Sequence, residues 1–198
     1  NTGHEEISLS SLSSSDYSQL KELVTFLIEE FKDEGINICL PSLRIDAFSL
    51  DVMGKVQDIR KSSLTFAPEA GSQRMRDVIN KGLTEEIILD GAGQAFEGGW
   101  NKVKLYFMLG LPTETEEDMK AIPRLADKIA RRYYEIPKDK RSGKCQITTS
   151  TSFFIPKPFT PFQWAKMYDT EEYIARAAVV KHEFQEQLNR KSLKYHWH

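Results

Sequence analysis

A short β-rich run, a polar turn and an amphipathic helical stretch follow one another five times along this chain. That alternation constrains the fold more than any single residue does. The β-rich runs are Ile7–Ser10, Ile36–Leu40, Leu64–Ala67, Lys102–Leu109 and Gln146–Ile155. Several are dense in Val, Ile, Phe, Tyr or Thr, the residues that fit a pleated, half-buried surface. The stretches between them read as helices. Asp16–Glu34 sets Leu20, Leu23, Val24, Leu27, Ile28 and Phe31 at helical spacing, with Ser15 or Asp16 as N-cap and Gly35 as stop. Ser49–Arg60 places Leu50, Met53, Val56 and Ile59 on one side. Thr84–Phe96 opens with a capping threonine and two glutamates that suit the positive end of a helix dipole. Thr113 and Glu116 read as a capping box for a further helix, and Pro123 predicts a kink or restart inside it. Thr170–Lys191 is the last and longest helical stretch.

Alternating strands and helices dictate a parallel sheet with crossover helices. The strands recur at roughly 30 to 40 residues, the length of one βα unit. Five such units fall short of a complete eight-unit barrel. The expected fold is therefore α/β: an open twisted sheet or an incomplete parallel (β/α) barrel, forming one domain over residues 1–198. The polar, basic stretch Glu135–Lys144 is the one expected flexible loop.

Charge and cysteine content narrow the function. The 27 Lys and Arg against 29 Asp and Glu leave a formal charge of −2, which argues against a strongly basic nucleic-acid binder. Runs such as Leu105 to Leu109 are too short to span a bilayer, and Asn1 to Glu6 lack the features of a signal peptide, so a cytoplasmic, membrane-free protein is expected. Two cysteines, Cys39 and Cys145, cannot build a disulfide framework, nor supply the three or four thiolates of an iron–sulfur site. Cys39 reads as a small buried hydrophobe, and Cys145 has no nearby His in sequence. His4 and His182 are weak signals, and the terminal pair His196 and His198 could chelate a metal adventitiously but has no acidic or Cys partner at ligand spacing, so no native metal site is expected.

Parallel α/β folds bind ligands at the carboxyl ends of their strands. The residues expected there are Ser10 to Asp16, Pro41 to Asp46, Pro68 to Arg74, Gly110 to Glu114 and Pro156 to Trp164. Each has an ordinary structural explanation. The serine run can cap a helix. Glu69 can be a surface carboxylate or pair with Arg74 or Arg76. Gly110 and Pro112 can be turn punctuation. The proline-rich segment can be a rigid linker anchored by Trp164. Placement alone supports a ligand site without naming the ligand.

In combination, these segments resemble a known family. Ser63 to Ser72, followed by Met75 to Gly82, resembles the fourth strand and following helix of radical S-adenosylmethionine (SAM) enzymes. Phe107 to Asp118 resembles their fifth strand with its Gly-[Leu/Phe]-Pro-Gly-Glu-Thr ending, with Thr113 where many relatives have Gly. Leu9 to Ser13, Leu40 to Arg44 and Phe154 to Trp164 resemble signatures of radical SAM proteins with a cobalamin-binding domain upstream. The resemblance implies strands two to six of a six-strand partial barrel. It implies SAM and a 4Fe-4S cluster as cofactors of the parent protein, with cobalamin open as a cofactor of an upstream domain. The CxxxCxxC loop that holds the cluster is not in this sequence. The chain thus reads as a fragment, inactive alone, whose partners are the cluster-loop and cobalamin-type segments of its own chain. A first strand without its neighbour would invite homodimer pairing.

By the same resemblance, Ser10 and Ser11 lie where the methionine amino group is bound, and Arg44 meets the SAM carboxylate or a substrate acid. Glu69 and Ser72 lie where the ribose hydroxyls are gripped. Gly110 and Leu111 lie where backbone approaches adenine, and Ile155 and Pro156 add apolar contact to the purine. The chemistry implied is reductive cleavage of SAM to a hydrogen-abstracting 5′-deoxyadenosyl radical. Two other readings compete: a protein-interaction module presenting Phe159, Phe162 and Trp164, and an RNA-binding module using Lys138, Lys140, Arg141 and Lys144. The substrate is not legible from the fold.

Overall fold

The structure is a computed structural model that describes residues 3, 6–8, 17–31, 34, 36–39 and 64–198. Its elements in order are β1 (Glu6–Ser8), α1 (Leu20–Phe31), β2 (Asn37–Cys39), β3 (Leu64–Glu69), α2 (Gln73–Val78), α3 (Glu85–Glu97), β4 (Lys102–Leu109), α4 (Glu116–Glu135), β5 (Gln146–Phe153), α5 (Thr170–Glu186) and β6 (Leu193–Trp197). β1 and β2 pair in parallel. The other four strands form one sheet in sequential order β3-β4-β5-β6, every pair parallel. This is the parallel sheet with crossover helices that the alternation dictates, consistent with a partial parallel (β/α) barrel. The helix predicted at Ser49–Arg60 lies outside the described residues.

One face of the larger sheet carries the core. Leu64 and Phe66 of β3, Val103, Leu105, Phe107 and Leu109 of β4, and Ile147 of β5 are buried. They share one cluster with Ile88, Ala92 and Phe96 of α3, Ile122, Leu125 and Ile129 of α4, and Ala177, Val180 and Phe184 of α5. Each large side chain removed from water contributes about 1.5–3 kcal/mol, so this layer dominates the stability. The alternation of burial along β4, with Val103, Leu105, Phe107 and Leu109 under the helices, follows from the two-residue period of a strand.

Four differences from the sequence reading have local causes. The capping box belongs to Thr115 and Asp118, not to Thr113 and Glu116. Thr113 sits at φ 66, whereas Thr115 has the extended backbone an N-cap requires. α4 runs as one 20-residue element through Pro123, without the predicted restart. α5 ends at Glu186 rather than Lys191, because residues 190–192 form a 3-10 turn leading into β6. β6 itself, a fourth parallel strand on β5, was not anticipated. Lys194 and His196 break its apolar run, so its sequence lacks a strand's hydrophobic density.

Two features bind the loop after β3 to its surroundings. A Cβ on Gly71 would lie 2.3 Å from the Ile122 backbone nitrogen, so the loop touches the α4 backbone directly. Arg76 is fully buried and donates to the Ala70, Gly71 and Leu83 carbonyls at 3.1, 2.9 and 2.9 Å, and to Gln73 Oε1 at 3.0 Å. Burial lowers its pKa, and these acceptors offset its lost hydration. Gly71→Ala is expected to cost about 3 kcal/mol in urea denaturation, at the upper end of overpacking effects. Gly93→Ala is the control: its nearest neighbour would be the Arg132 side chain at 3.4 Å, and the substitution should be neutral or stabilising.

Candidate functional site

The carboxyl ends of β3, β4 and β5 bring several of the sequence candidates to one rim. Glu69 ends β3 at φ 67, just past a register shift against β4 that lies between Phe66 and Glu69. A glutamate in the left-handed region is uncommon, and the irregularity sets it apart from the ladder. Its partner is Lys81 at 3.4 Å, both side chains being part-exposed, rather than Arg74 or Arg76. Gly110 follows the adjacent strand β4 at φ 83. Glu69 and Gly110 therefore stand at the same end of neighbouring parallel strands.

Ser72 has a structural occupation. Its Oγ accepts the Met75 N–H at 3.1 Å as the N-cap of α2 and donates to Asp118 Oδ1 at 2.6 Å. Asp118 also takes Arg74 and the Thr115 hydroxyl, the latter at 2.7 Å, and accepts the Thr115 N–H at 2.8 Å. Burial pushes the Asp118 pKa up, but donation from Arg74, Ser72 and Thr115 outweighs it and holds the carboxyl well below the usual range. Arg74 reaches further, to the Thr113 carbonyl at 2.8 Å. The loops after β3 and β4 are thereby joined through one carboxylate.

Glu114 forms the second anchor. It is 3% exposed, accepts the Gly110 N–H at 2.7 Å and pairs with Arg176 of α5 at 3.0 Å. Burial pushes its pKa from 4.5 up to about 7, against the lowering effect of the Gly110 N–H and Arg176. Arg176 also lies 4.2 Å over the Tyr168 ring. Tyr173, likewise from α5, donates to the Phe154 carbonyl after β5. A Cβ on Gly110 would meet Tyr173 at 2.6 Å and Tyr168 at 3.1 Å. Packing by these two tyrosines, together with the positive φ, already requires glycine here. Sequence reasoning quoted Glu114 only as part of a turn, and Arg176 and Tyr173, some 60 residues further on, carried no signal.

Leu111 is fully buried with Ala70, Met75 and Phe154, so its side chain is not available at the surface. Ile155 is exposed and Pro156 partly so. Phe162 packs on Phe154 with ring centroids 6.1 Å apart, whereas Phe159 and Trp164 are 99% and 90% exposed. Ser10, Ser11 and Arg44 lie outside the described residues.

Residues 1–126 match the model of the radical SAM superfamily. The chain belongs to the radical SAM superfamily. It is similar to an uncharacterized protein of Methanocaldococcus jannaschii, 37% identical over 158 residues, which are 80% of this chain and 32% of that one. The chain thus spans about a third of that relative's length.

The superfamily implies SAM and a 4Fe-4S cluster, and the residues present fit the two unequally. A part-exposed carboxylate with one cationic neighbour, at a strand end, has lone pairs for a ribose diol. The cluster does not fit. The sequence has two cysteines, and Cys145 is buried in the core with its thiol pushed up to about 12 by burial. Among the described residues no group of three or more His, Cys, Asp or Glu could hold a metal ion. No helix among them is long and apolar enough to cross a membrane.

Glu114 generates a pH signature. A carboxyl whose folded pKa is raised contributes stability that is present below 4.5 and lost as pH rises to about 7. The unfolding free energy of the wild type in urea should fall over that window by on the order of 3 kcal/mol, and Glu114→Gln should lack the slope. Parallel profiles for the two proteins would contradict the assignment.

Proposed function

We propose that this chain supplies the SAM-holding rim of a radical SAM enzyme. The supporting observation is the adjacency of Glu69 and Gly110 at the carboxyl ends of neighbouring parallel strands. Glu69 accepts hydrogen bonds from the ribose hydroxyls. Backbone groups around Gly110 and Leu111 meet the adenine, held in place by Glu114, Arg176 and Tyr173. Ile155 and Pro156 add apolar surface. Ser10 and Ser11 take the methionine amino group, and Arg44 its carboxylate. Ser72 acts one step back: its hydroxyl is spent on Met75 and Asp118, so it fixes the loop that carries Glu69 rather than the ribose.

SAM bound to a reduced 4Fe-4S cluster supplies a hydrogen-abstracting radical in this superfamily. The two cysteines of this chain cannot supply the thiolates of a cluster, and the chain by itself binds the cofactor without cleaving it. Exposure of Phe159 and Trp164 favours an interaction surface as a second reading. Superfamily membership over residues 1–126 outweighs it for the chain as a whole. The RNA reading has no comparable support.

Calorimetric titration with S-adenosylhomocysteine tests the proposal. Glu69→Gln should weaken binding about tenfold, the order expected for losing hydrogen bonds to a charged group. Lys81→Gln should leave binding within about twofold. Equal affinity of the wild type and Glu69→Gln would sink the ribose assignment.

A further inference from the structure

On the face of the larger sheet opposite the helices, the rows through Lys104 and Tyr106 are polar, and their charge has one sign. Val103, Leu105 and Phe107 of β4 and Ile147, Thr149 and Thr151 of β5 are buried toward the helices. By the two-residue period, Lys104 and Tyr106, Thr148 and Ser150, and Lys194 and His196 present the other face. The register orders them in rows. Lys104 stands opposite Thr148, and Thr148 opposite Lys194. One step further, Tyr106 stands opposite Ser150, and Ser150 opposite His196. Two strand intervals put the Lys104 and Lys194 Cα atoms roughly 10 Å apart, close enough for both ammonium groups to converge over the strand between them.

No carboxylate occurs in either row. Among the described residues neither Lys104 nor Lys194 has an ion-pair partner, while Lys81, Lys120, Lys128 and Lys166 all do. Thr148 Oγ1 accepts from Gln146 Nε2 at 3.4 Å, which leaves its hydroxyl hydrogen free to donate. The surface is a lattice of donors: two ammonium groups flanking a line of hydroxyls. A barrel's inner face with unpaired cations and donors complements an anion.

We propose that this face binds the substrate by an anionic group, a phosphate or carboxylate, held between Lys104 and Lys194 with Thr148 and Ser150 donating from β5. The word substrate rests on the cofactor reading above; the anion site does not. Six residues separate Lys104 from Gly110 along the chain, on the order of 20 Å of extended strand. A molecule anchored at this row and reacting at the rim is therefore elongated, on the order of 15 Å or more.

The test is calorimetric titration of the 198-residue chain with inorganic pyrophosphate and, separately, with succinate. The double variant Lys104→Gln/Lys194→Gln should weaken the preferred anion at least tenfold. Lys181→Gln, on α5 beside Arg190 and Lys191, should change it less than twofold. Tighter pyrophosphate binding assigns a phosphate, and tighter succinate binding a carboxylate. S-adenosylhomocysteine titrated in parallel separates the two claims. Its affinity should not move in the double variant, and if it fails to bind while pyrophosphate or succinate binding still depends on the lysine pair, the cofactor reading fails and the anion site stands. Anion affinities unchanged by the double variant, or lost in Lys181→Gln instead, overturn the inference. So does a wild-type chain that binds neither pyrophosphate nor succinate.

Discussion

The carboxylate of Asp118 is the point on which the rim depends. It caps its own helix through Thr115, and it takes Ser72 and Arg74 from the preceding βα unit. One buried anion thus ties two loops that are more than 40 residues apart in sequence. Without it, the Ser72 hydroxyl and the Thr115 hydroxyl and N–H would lose their acceptor, and a buried polar group left unpaired costs about 1–3 kcal/mol. Glu69 and Gly110 sit on the two loops so joined, which makes their spacing a property of the scaffold rather than of a ligand.

The neighbouring contacts follow the same logic with different signs. Arg76 needs carbonyls, and Gly71 lets the loop approach α4 closely. Glu114 needs the Gly110 N–H and Arg176. Asp118 is stabilised as an anion, whereas burial disfavours the anion of Glu114. Acid therefore loosens the Asp118 joint as its carboxyl protonates, while alkali strains the Glu114 anchor across the neutral range. Two carboxylates four residues apart give the rim opposite responses to pH. Preorganisation of this kind lets backbone groups serve as a binding surface without reordering on contact.

Much of this was legible in the sequence, for physical reasons. The succession of β-rich and helical patterns exposed the parallel sheet, and β4 matches its expected bounds residue for residue because Val103 to Leu109 is dense in residues that favour a strand. The N-cap Thr84 was legible because its type and its following glutamates agree. The capping box slipped by two residues because a motif does not reveal backbone angles, and Thr113 is left-handed. β6 was missed because its polar residues face the helix-free side of the sheet, where no apolar pattern is needed. At the rim, Glu69 and Gly110 stood out by type and position. Their supports did not: Glu114 stood only within the turn after β4 and Asp118 only within the Phe107 to Asp118 motif, and Arg176 and Tyr173 arrive from a helix that only the fold brings near.

The central claim is that the carboxyl rim of β3 and β4 receives a nucleoside. Amide chemical-shift mapping on the isotopically labelled chain during addition of S-adenosylhomocysteine tests it most directly. The account predicts the largest shifts at Glu69, Ala70, Gly110 and Leu111, with Lys102 and Gln146 at the opposite ends of the strands unmoved. Shifts gathered at those opposite ends, or spread over the outer helices, would contradict it.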